Sequence, residues 1–281
     1  MTDREYMQRA IDLAVKGCGH TNPNPMVGAV IVRNGRILSE GYHEKYGDLH
    51  AERNALAKCD ESCEGATMYV TLEPCCHHGK QPPCTEAVIA SGIRRVFVGS
   101  ADPNPLVAGK GVQILRDAGI EVITDFMKEE CDAINTVFFH YIQTGLPYVV
   151  SKYAMTMDGK IATKTGASKW ITGDAARNRV QEDRNRYAGI MVGIGTVLTD
   201  DPLLTGRIPG GKDPTRIICD TNLRIPLDSQ IVKTANEVET IIACASDHGP
   251  KQTLLREAGC QILPVPLTGD RIDLGELMTL L

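Results

Sequence analysis

The hydrophobic positions change period repeatedly along the first half of the chain, and each change predicts an element. Over residues 3–17, Tyr6, Met7, Ala10, Leu13 and Ala14 recur at helical spacing, and Gly17 supplies a stop. The run Val27-Gly28-Ala29-Val30-Ile31-Val32 then predicts a buried strand. Asn34-Gly35, a pair that accepts positive φ, turns it back into a second strand through Ile37 and Leu38. A helix is expected from His50 to about residue 59, a strand over 68–72, a helix over 84–91, a strand over 95–99, a helix over 111–117 and a strand over 121–123. A long helix over 128–141 ends before Gly145-Leu146-Pro147. That breaker cluster sets the expected boundary between one domain of residues 1–145 and another of residues 146–281.

The second half alternates in the same way. Residues 148–152 read as its opening strand, and Asp174 as the cap of a helix reaching residue 186. Further strands are expected over 189–193, 215–219, 240–244 and 261–263, with a helix over 251–258. Strands alternating with helices predict an α/β fold in both halves. The first half should form a three-layer sandwich with ligands at strand ends and helix starts.

Composition narrows the class. A chain of 281 residues with 42% hydrophobic positions can bury two cores, which excludes a disordered protein. The net charge of -5 and the lack of a basic run argue against gripping a nucleic-acid backbone, so a small-molecule substrate fits better. Thr2-Asp3-Arg4-Glu5 is charged where a signal peptide would be apolar, and no stretch approaches the roughly 18 apolar residues of a membrane helix. A soluble, cytoplasmic protein is expected. The ten Cys then read as metal ligands and buried thiols rather than disulfides.

The chemistry concentrates between His50 and Cys84. His50-Ala51-Glu52 opens this stretch and Pro74-Cys75-Cys76-His77-His78-Gly79-Lys80-Gln81-Pro82-Pro83-Cys84 closes it. One imidazole and two thiolates can hold zinc and leave a fourth position for water, as in a catalytic rather than a structural site. Glu52 is placed to handle protons, the arrangement of the zinc deaminases of nucleobases, although Cys75 and Cys84 stand further apart than in their usual motif. The starting turns of two helices would lower the thiol pKa values. Cys76, His77 and His78 remain possible fourth ligands of a closed structural site.

This stretch resembles the deaminase half of the bifunctional riboflavin-biosynthesis deaminase–reductases. The resemblance includes Thr21-Asn22-Pro23-Asn24-Pro25-Met26-Val27-Gly28, Gly41-Tyr42-His43 and Asp102-Pro103-Asn104-Pro105, and it runs on through Met157-Asp158-Gly159-Lys160 and Ser168-Lys169-Trp170-Ile171-Thr172. It implies a cytidine-deaminase-like sandwich followed by a domain similar to dihydrofolate reductase. His50, Cys75 and Cys84 would bind Zn2+, with Glu52 catalytic. Asn24, His43, His77, Lys80, Asp102 and Asn104 would surround a pyrimidine and its ribose phosphate, with Gln81 where such proteins usually carry Thr.

No complete Gly-x-Gly-x-x-Gly follows a strand in the second half; Gly193-Ile194-Gly195-Thr196 comes closest. The resemblance alone implies NADPH, bound by Ala154, Trp170, Thr196, Asp200 and Thr221. Ser168, Arg184, Leu204 and Arg207 would face the sugar phosphate, a group that guanidinium binds bidentately. The implied substrate is a 2,5-diamino-6-(ribosylamino)pyrimidinone 5′-phosphate, deaminated and then reduced from ribosyl to ribityl. A homo-oligomer, dimer or tetramer, is implied as well. The matched pattern ends near Ile272-Asp273-Leu274, before the strand and Glu-containing Gly-rich loop of relatives, so an incomplete reductase pocket and deaminase activity alone form one expectation. A nucleoside or tRNA deaminase and a zinc-stabilised binding module without turnover are the rivals.

Overall fold

The computed structural model describes residues 1–105, 107–245 and 249–281. The chain divides into two compact units, Met1–Gly145 and Leu146–Leu281.

The first unit opens with α1 (Asp3–Ala14), whose capping box is written in Thr2-Asp3-Arg4-Glu5. The Glu5 N–H donates to Thr2 Oγ1 at 3.3 Å, and the Thr2 N–H donates to Glu5 Oε2 at 2.6 Å. A single 3₁₀ turn at Val15–Gly17 ends this helix. The elements that follow are β1 (Gly28–Arg33), β2 (Arg36–Tyr42), α2 (Ala51–Ala57), β3 (Thr67–Leu72), α3 (Cys84–Ala90), β4 (Arg95–Ser100), α4 (Lys110–Asp117), β5 (Glu121–Ile123), α5 (Lys128–Ile134) and α6 (Thr136–Thr144). Asn34 and Gly35 both take positive φ and join β1 to β2 in the expected turn.

The sheet order is β2-β1-β3-β4-β5. β1 runs antiparallel to both its neighbours, whereas β3, β4 and β5 are parallel. Alternation along β1 sends Val30 and Val32 to one face, where they pack with Tyr6, Met7 and Ala10 of α1. Ala29 and Ile31 face the opposite core with Ala51 and Ala55 of α2 and Val88 of α3. Helices on both faces make this a three-layer sandwich.

One expected element is corrected. The long helix over 128–141 is two helices, broken at Asn135, which leaves helical geometry at φ -117 and ψ 23. Asn135 Nδ2 donates to the Met26 carbonyl and Asn135 Oδ1 accepts from the Met26 N–H, both at 2.8 Å. A side chain committed to another segment's backbone wins over helix continuity. Asn135→Ala should therefore lower the stability of this unit by about 1 kcal/mol, since it leaves a part-buried donor and acceptor on Met26 without their partner. Urea unfolding checks this; a change under about 0.5 kcal/mol would show that the break has another cause.

The second unit holds α7 (Asp174–Arg186), β6 (Gly189–Gly193), α8 (Ile194–Asp200), β7 (Thr215–Cys219), α9 (Gln230–Lys233), β8 (Thr240–Cys244), α10 (Pro250–Glu257), β9 (Gln261–Pro264), the short pair β10 (Leu267–Thr268) and β11 (Arg271–Ile272), and α11 (Leu274–Leu280). Strands β6-β7-β8-β9 form a parallel sheet in chain order. Ile218 and Ile242 pack there with Ile194 and Val197 of α8 and Leu255 of α10. Residues 148–152, expected as a strand, form none: an apolar run becomes a strand only when a partner takes its backbone, and Tyr148, Val149 and Val150 are exposed. Asp174 is the first residue of its helix and Gly173 the cap.

Arg216 on β7 is fully buried. Its guanidinium donates to the carbonyls of Leu203, Ile231, Thr234 and Val238, at 3.0 to 3.2 Å, and to the hydroxyls of Thr234 and Thr240. It ties the segment that carries Leu204 and Arg207 to α9 and to the start of β8.

Candidate active site

His50 is the residue capping α2, in extended geometry, so its ring projects from the helix start. Cys75 lies just beyond β3 and Cys84 opens α3. The strand-to-helix order thus brings three donors to one place, with His50 Nδ1 3.5 Å from Cys75 Sγ and 3.4 Å from Cys84 Sγ. All three ligand atoms lie within 4.8 Å of one another. Tetrahedral zinc with bonds of about 2.0–2.3 Å spaces neighbouring ligand atoms roughly 3.5–3.8 Å apart, so the donor set fits the ion. Among the described residues this group contains no fourth protein ligand. His78, one alternative, points its Nε2 at Glu86 from 3.7 Å on the surface.

Electrostatics separates the two thiols, although the helix starts alone predict that both are lowered. Cys75 Sγ accepts from the Cys84 thiol, from the His50 ring and, at 3.4 Å, from the Cys84 backbone N–H, which brings it down to about 4. Cys84, which keeps its proton while donating a hydrogen bond to Cys75 and is buried, is pushed well above the usual thiol range. Arg53 on α2 fixes the approach to Cys84: its guanidinium donates to the carbonyls of Pro82 and Pro83, at 3.0 and 2.7 Å.

Glu52, in the first turn of α2, is only 3% exposed. Burial, with the nearby Cys75 charge, raises its carboxyl to about 7. A carboxyl poised near neutrality can both take and give a proton at working pH.

These groups line a cavity of about 290 Å³. The six residues expected around the pyrimidine and its phosphate all border it: Asn24, His43, His77, Lys80, Asp102 and Asn104. His43 is buried, with Nδ1 3.0 Å from the Leu49 carbonyl and Nε2 3.2 Å from Asn24 Nδ2. The carbonyl can only accept and the amide NH2 can only donate, so His43 is neutral with its proton on Nδ1. Burial also lowers its pKa. Asn24 is thereby turned with its amide nitrogen toward His43. His77 Nδ1 is buried without a hydrogen-bond partner. Asp102 is raised to about 6 by burial, and its Oδ1 accepts from the Asn104 N–H at 2.9 Å. Lys80 Nζ lies 4.0 Å from the Tyr46 ring centroid, while Gln81 Nε2 donates to the Gly47 carbonyl at 3.0 Å.

Sequence reasoning missed Tyr46, Glu73 and Phe138 of the cavity wall, and Arg53 behind it. Glu73 had a signal in its place before Pro74-Cys75; Phe138, on α6 beyond the break at Asn135, had none.

In the second unit, Thr196 and Asp200 lie one turn apart on α8, and Thr221 follows β7, so both segments leave carboxyl ends of parallel strands. Such ends are where α/β sheets take dinucleotides. The backbone at Gly193 and Gly195 has open space beside it, which leaves room for a cofactor's close approach. Thr221 Oγ1 accepts from the Ile272 N–H at 3.3 Å. Arg184 Nη1 donates to the Thr205 carbonyl at 2.7 Å, while its Nε is buried with no partner. Burial, and to a lesser degree the charge of Arg207, lowers its pKa. Leu204 is buried at φ 58. Ala154, Ser168 and Trp170 lie outside helices and strands, and Trp170 is 72% exposed with the Arg177 guanidinium 4.6 Å over its ring.

A zinc triad with a buried carboxyl, set in a three-layer sandwich and joined to a parallel α/β domain, defines a zinc-dependent deaminase fused to a second enzyme. Residues 1–100 match the cytidine and deoxycytidylate deaminase zinc-binding region, and residues 147–281 match the RibD C-terminal domain. The chain is 58% identical over 278 residues to the riboflavin biosynthesis protein RibD of Actinobacillus pleuropneumoniae, covering 99% of this chain and 74% of that one. It belongs to the RibD family, bifunctional riboflavin-biosynthesis enzymes that join a zinc-dependent deaminase to an NADPH-dependent reductase with a dihydrofolate-reductase-like fold. The RibD of Aquifex aeolicus is 48% identical, covering 93% of this chain and 73% of its own. Among solved structures, Acinetobacter baumannii RibD aligns with a TM-score of 0.86 at 41% identity, covering 94% of this chain and 74% of that one. The Thermotoga maritima diaminohydroxyphosphoribosylaminopyrimidine deaminase/5-amino-6-(5-phosphoribosylamino)uracil reductase aligns with a TM-score of 0.82 at 40% identity, covering 93% and 80%. Identity that runs through both halves disfavours the nucleoside or tRNA deaminase and the deaminase-only reading. Among the described residues no helix is long and apolar enough to cross a membrane.

Proposed function

We propose that the first unit deaminates diaminohydroxyphosphoribosylaminopyrimidine and that the second reduces 5-amino-6-(5-phosphoribosylamino)uracil, the pair of activities named for the Thermotoga maritima relative. The observation that carries the first step is the zinc donor triad beside a buried carboxyl, in a cavity walled by amide, imidazole and carboxyl groups. When bound, zinc supplies Lewis acidity that makes a water nucleophilic near neutral pH. Glu52 takes a proton from the attacking water and hands it to the adjacent ring nitrogen. It then carries the proton of the new hydroxyl to the amino group, which leaves as ammonia while the ring carbon keeps the oxygen as a carbonyl. Asn24, turned by His43, and Asp102 read the ring edge. His77 has a buried nitrogen without a partner for the ligand to use, and Lys80 meets the phosphate as a point charge.

In the second unit Thr196, Asp200 and Thr221 would hold NADPH, with Ala154 and Trp170 beside it; when bound, it supplies a hydride to the sugar's first carbon. Arg184 and Arg207 would take the substrate phosphate, with Ser168 and Leu204 at the sugar; the partnerless Arg184 Nε supports this. The net charge of -5 supports a small-molecule substrate rather than a nucleic acid, and the exposed apolar run at Tyr148, Val149 and Val150 supports a homo-oligomer.

The test mixes purified protein with the diaminopyrimidine phosphate, with and without NADPH. Ammonia should appear in both mixtures, and NADPH absorbance should fall only after ammonia release begins. Absence of ammonia, or NADPH oxidation that precedes it, would reject the proposed sequence.

A further inference from the structure

Glu73 is only 3% exposed and lies two residues before the zinc ligand Cys75. Its backbone N–H donates to the Ser100 carbonyl at 2.9 Å, which continues the β3–β4 ladder past the strand ends. Its carboxylate gathers a different segment. Oε2 accepts from the N–H groups of Asp102, at 3.4 Å, and Gly109, at 3.0 Å, and Oε1 accepts from Val112 at 3.1 Å. The donors sit at the start of the loop after β4, at its end, and in the first turn of α4. Gly109, the residue capping α4, has no side chain to satisfy that helix start, so Glu73 does so from another element. At Gly111 an added Cβ would lie 2.1 Å from the Pro74 carbonyl oxygen, so α4 packs directly against the peptide that leads into Cys75.

One buried carboxylate therefore ties the cavity wall bearing Asp102 and Asn104 to the wall bearing the zinc ligands. We infer that Glu73 is a positioning residue of the deaminase: it holds Asp102 and Asn104 at the spacing from Cys75 that substrate recognition requires. The inference rests on reading this cavity as the pyrimidine site. Backbone bonds to a charged acceptor are about twice as strong as neutral ones. Gln keeps the size of Glu but turns an NH2 toward donors that need an acceptor. A shift of the wall by a fraction of an ångström would weaken every contact Asp102 and Asn104 make, and an error of about 1 Å can cost about 10²-fold.

The experiment compares wild type, Glu73→Gln, Asp102→Asn and the double variant. It follows ammonia release against concentration of the diaminopyrimidine phosphate, and measures zinc content and peptide hydrogen exchange. Glu73→Gln should keep its zinc, raise KM about tenfold or more and change kcat less than about threefold. The double variant should have a KM within about twofold of the worse single variant, because both changes act through one segment. Exchange should accelerate in residues 101–105 and 107–113 and not around Cys84. An unchanged KM with kcat falling in step with zinc or folded fraction would mean a merely structural role and overturn the inference. So would KM effects that multiply in the double variant, or unaltered exchange in 101–105 and 107–113. Should Glu73→Gln fail to fold, Glu73→Asp, which keeps the acceptor but shortens its reach to Gly109 and Val112, must raise KM; an unchanged KM there also overturns it. A wild type inactive on this compound would reject the functional reading alone, because the exchange comparison needs no substrate.

Discussion

Glu52→Gln should cut ammonia release by about 10²–10⁴-fold while zinc content and NADPH oxidation on the deaminated substrate stay at wild-type levels. The carboxyl is 3% exposed, in the first turn of the helix that His50 caps, and burial holds it near 7. A group with that environment can accept a proton from water and return it to nitrogen without waiting for bulk solvent. Gln fills the same space and is not a metal ligand, so the fold and the metal donors should survive the change. What disappears is the proton shuttle alone. Turnover within about threefold of wild type would show that another group carries the protons. Asp102 would then be the candidate to examine, since burial raises it to about 6 within the same cavity.

Most of the sandwich was legible because local signals and burial agree there. Asn34-Gly35 fixes a turn, and the unbroken apolar run from Val27 marks β1 as a strand buried on both faces, which helices then cover. The zinc donors were legible because ligand chemistry tolerates few residue types and the strand-to-helix order brings them together. Asn135 shows where the reading ended. Its helix-compatible neighbourhood gave no sign that a loop more than a hundred residues earlier would claim its side chain. Arg53 was invisible for the same reason, and Glu73, though placed just before Pro74-Cys75, gave no sign of what it holds, since both act on backbone groups that any sequence possesses. In the second unit, residues 148–152 misled because apolar character reports a wish for burial, not the presence of a partner strand. Arg216 reads as a surface charge from its residue type, yet it ends fully buried among carbonyls.

Replacing Cys84 with Ser should remove zinc and abolish deamination, leaving less than about 1% of the wild-type rate, since the ion would supply the nucleophilic water. Cys84 is the fully buried member of the triad, at the first position of α3, with Arg53 holding the prolines before it. A serine oxygen is a poorer partner for zinc than a thiolate and holds its proton at neutral pH, so the remaining imidazole and thiolate form an open two-donor site. Wild type should carry one zinc per chain by elemental analysis. Chelation should strip it with parallel loss of ammonia release, and added zinc should restore both. The Ser variant should recover neither. Because the ion binds the folded chain, its loss should also lower the unfolding temperature of the first unit. The NADPH-dependent step should persist on substrate supplied already deaminated, because its residues lie in the other unit. A metal-free Cys84→Ser protein that still deaminates at more than about a tenth of the wild-type rate would remove zinc from the mechanism. Glu52 would then have to act on water without it.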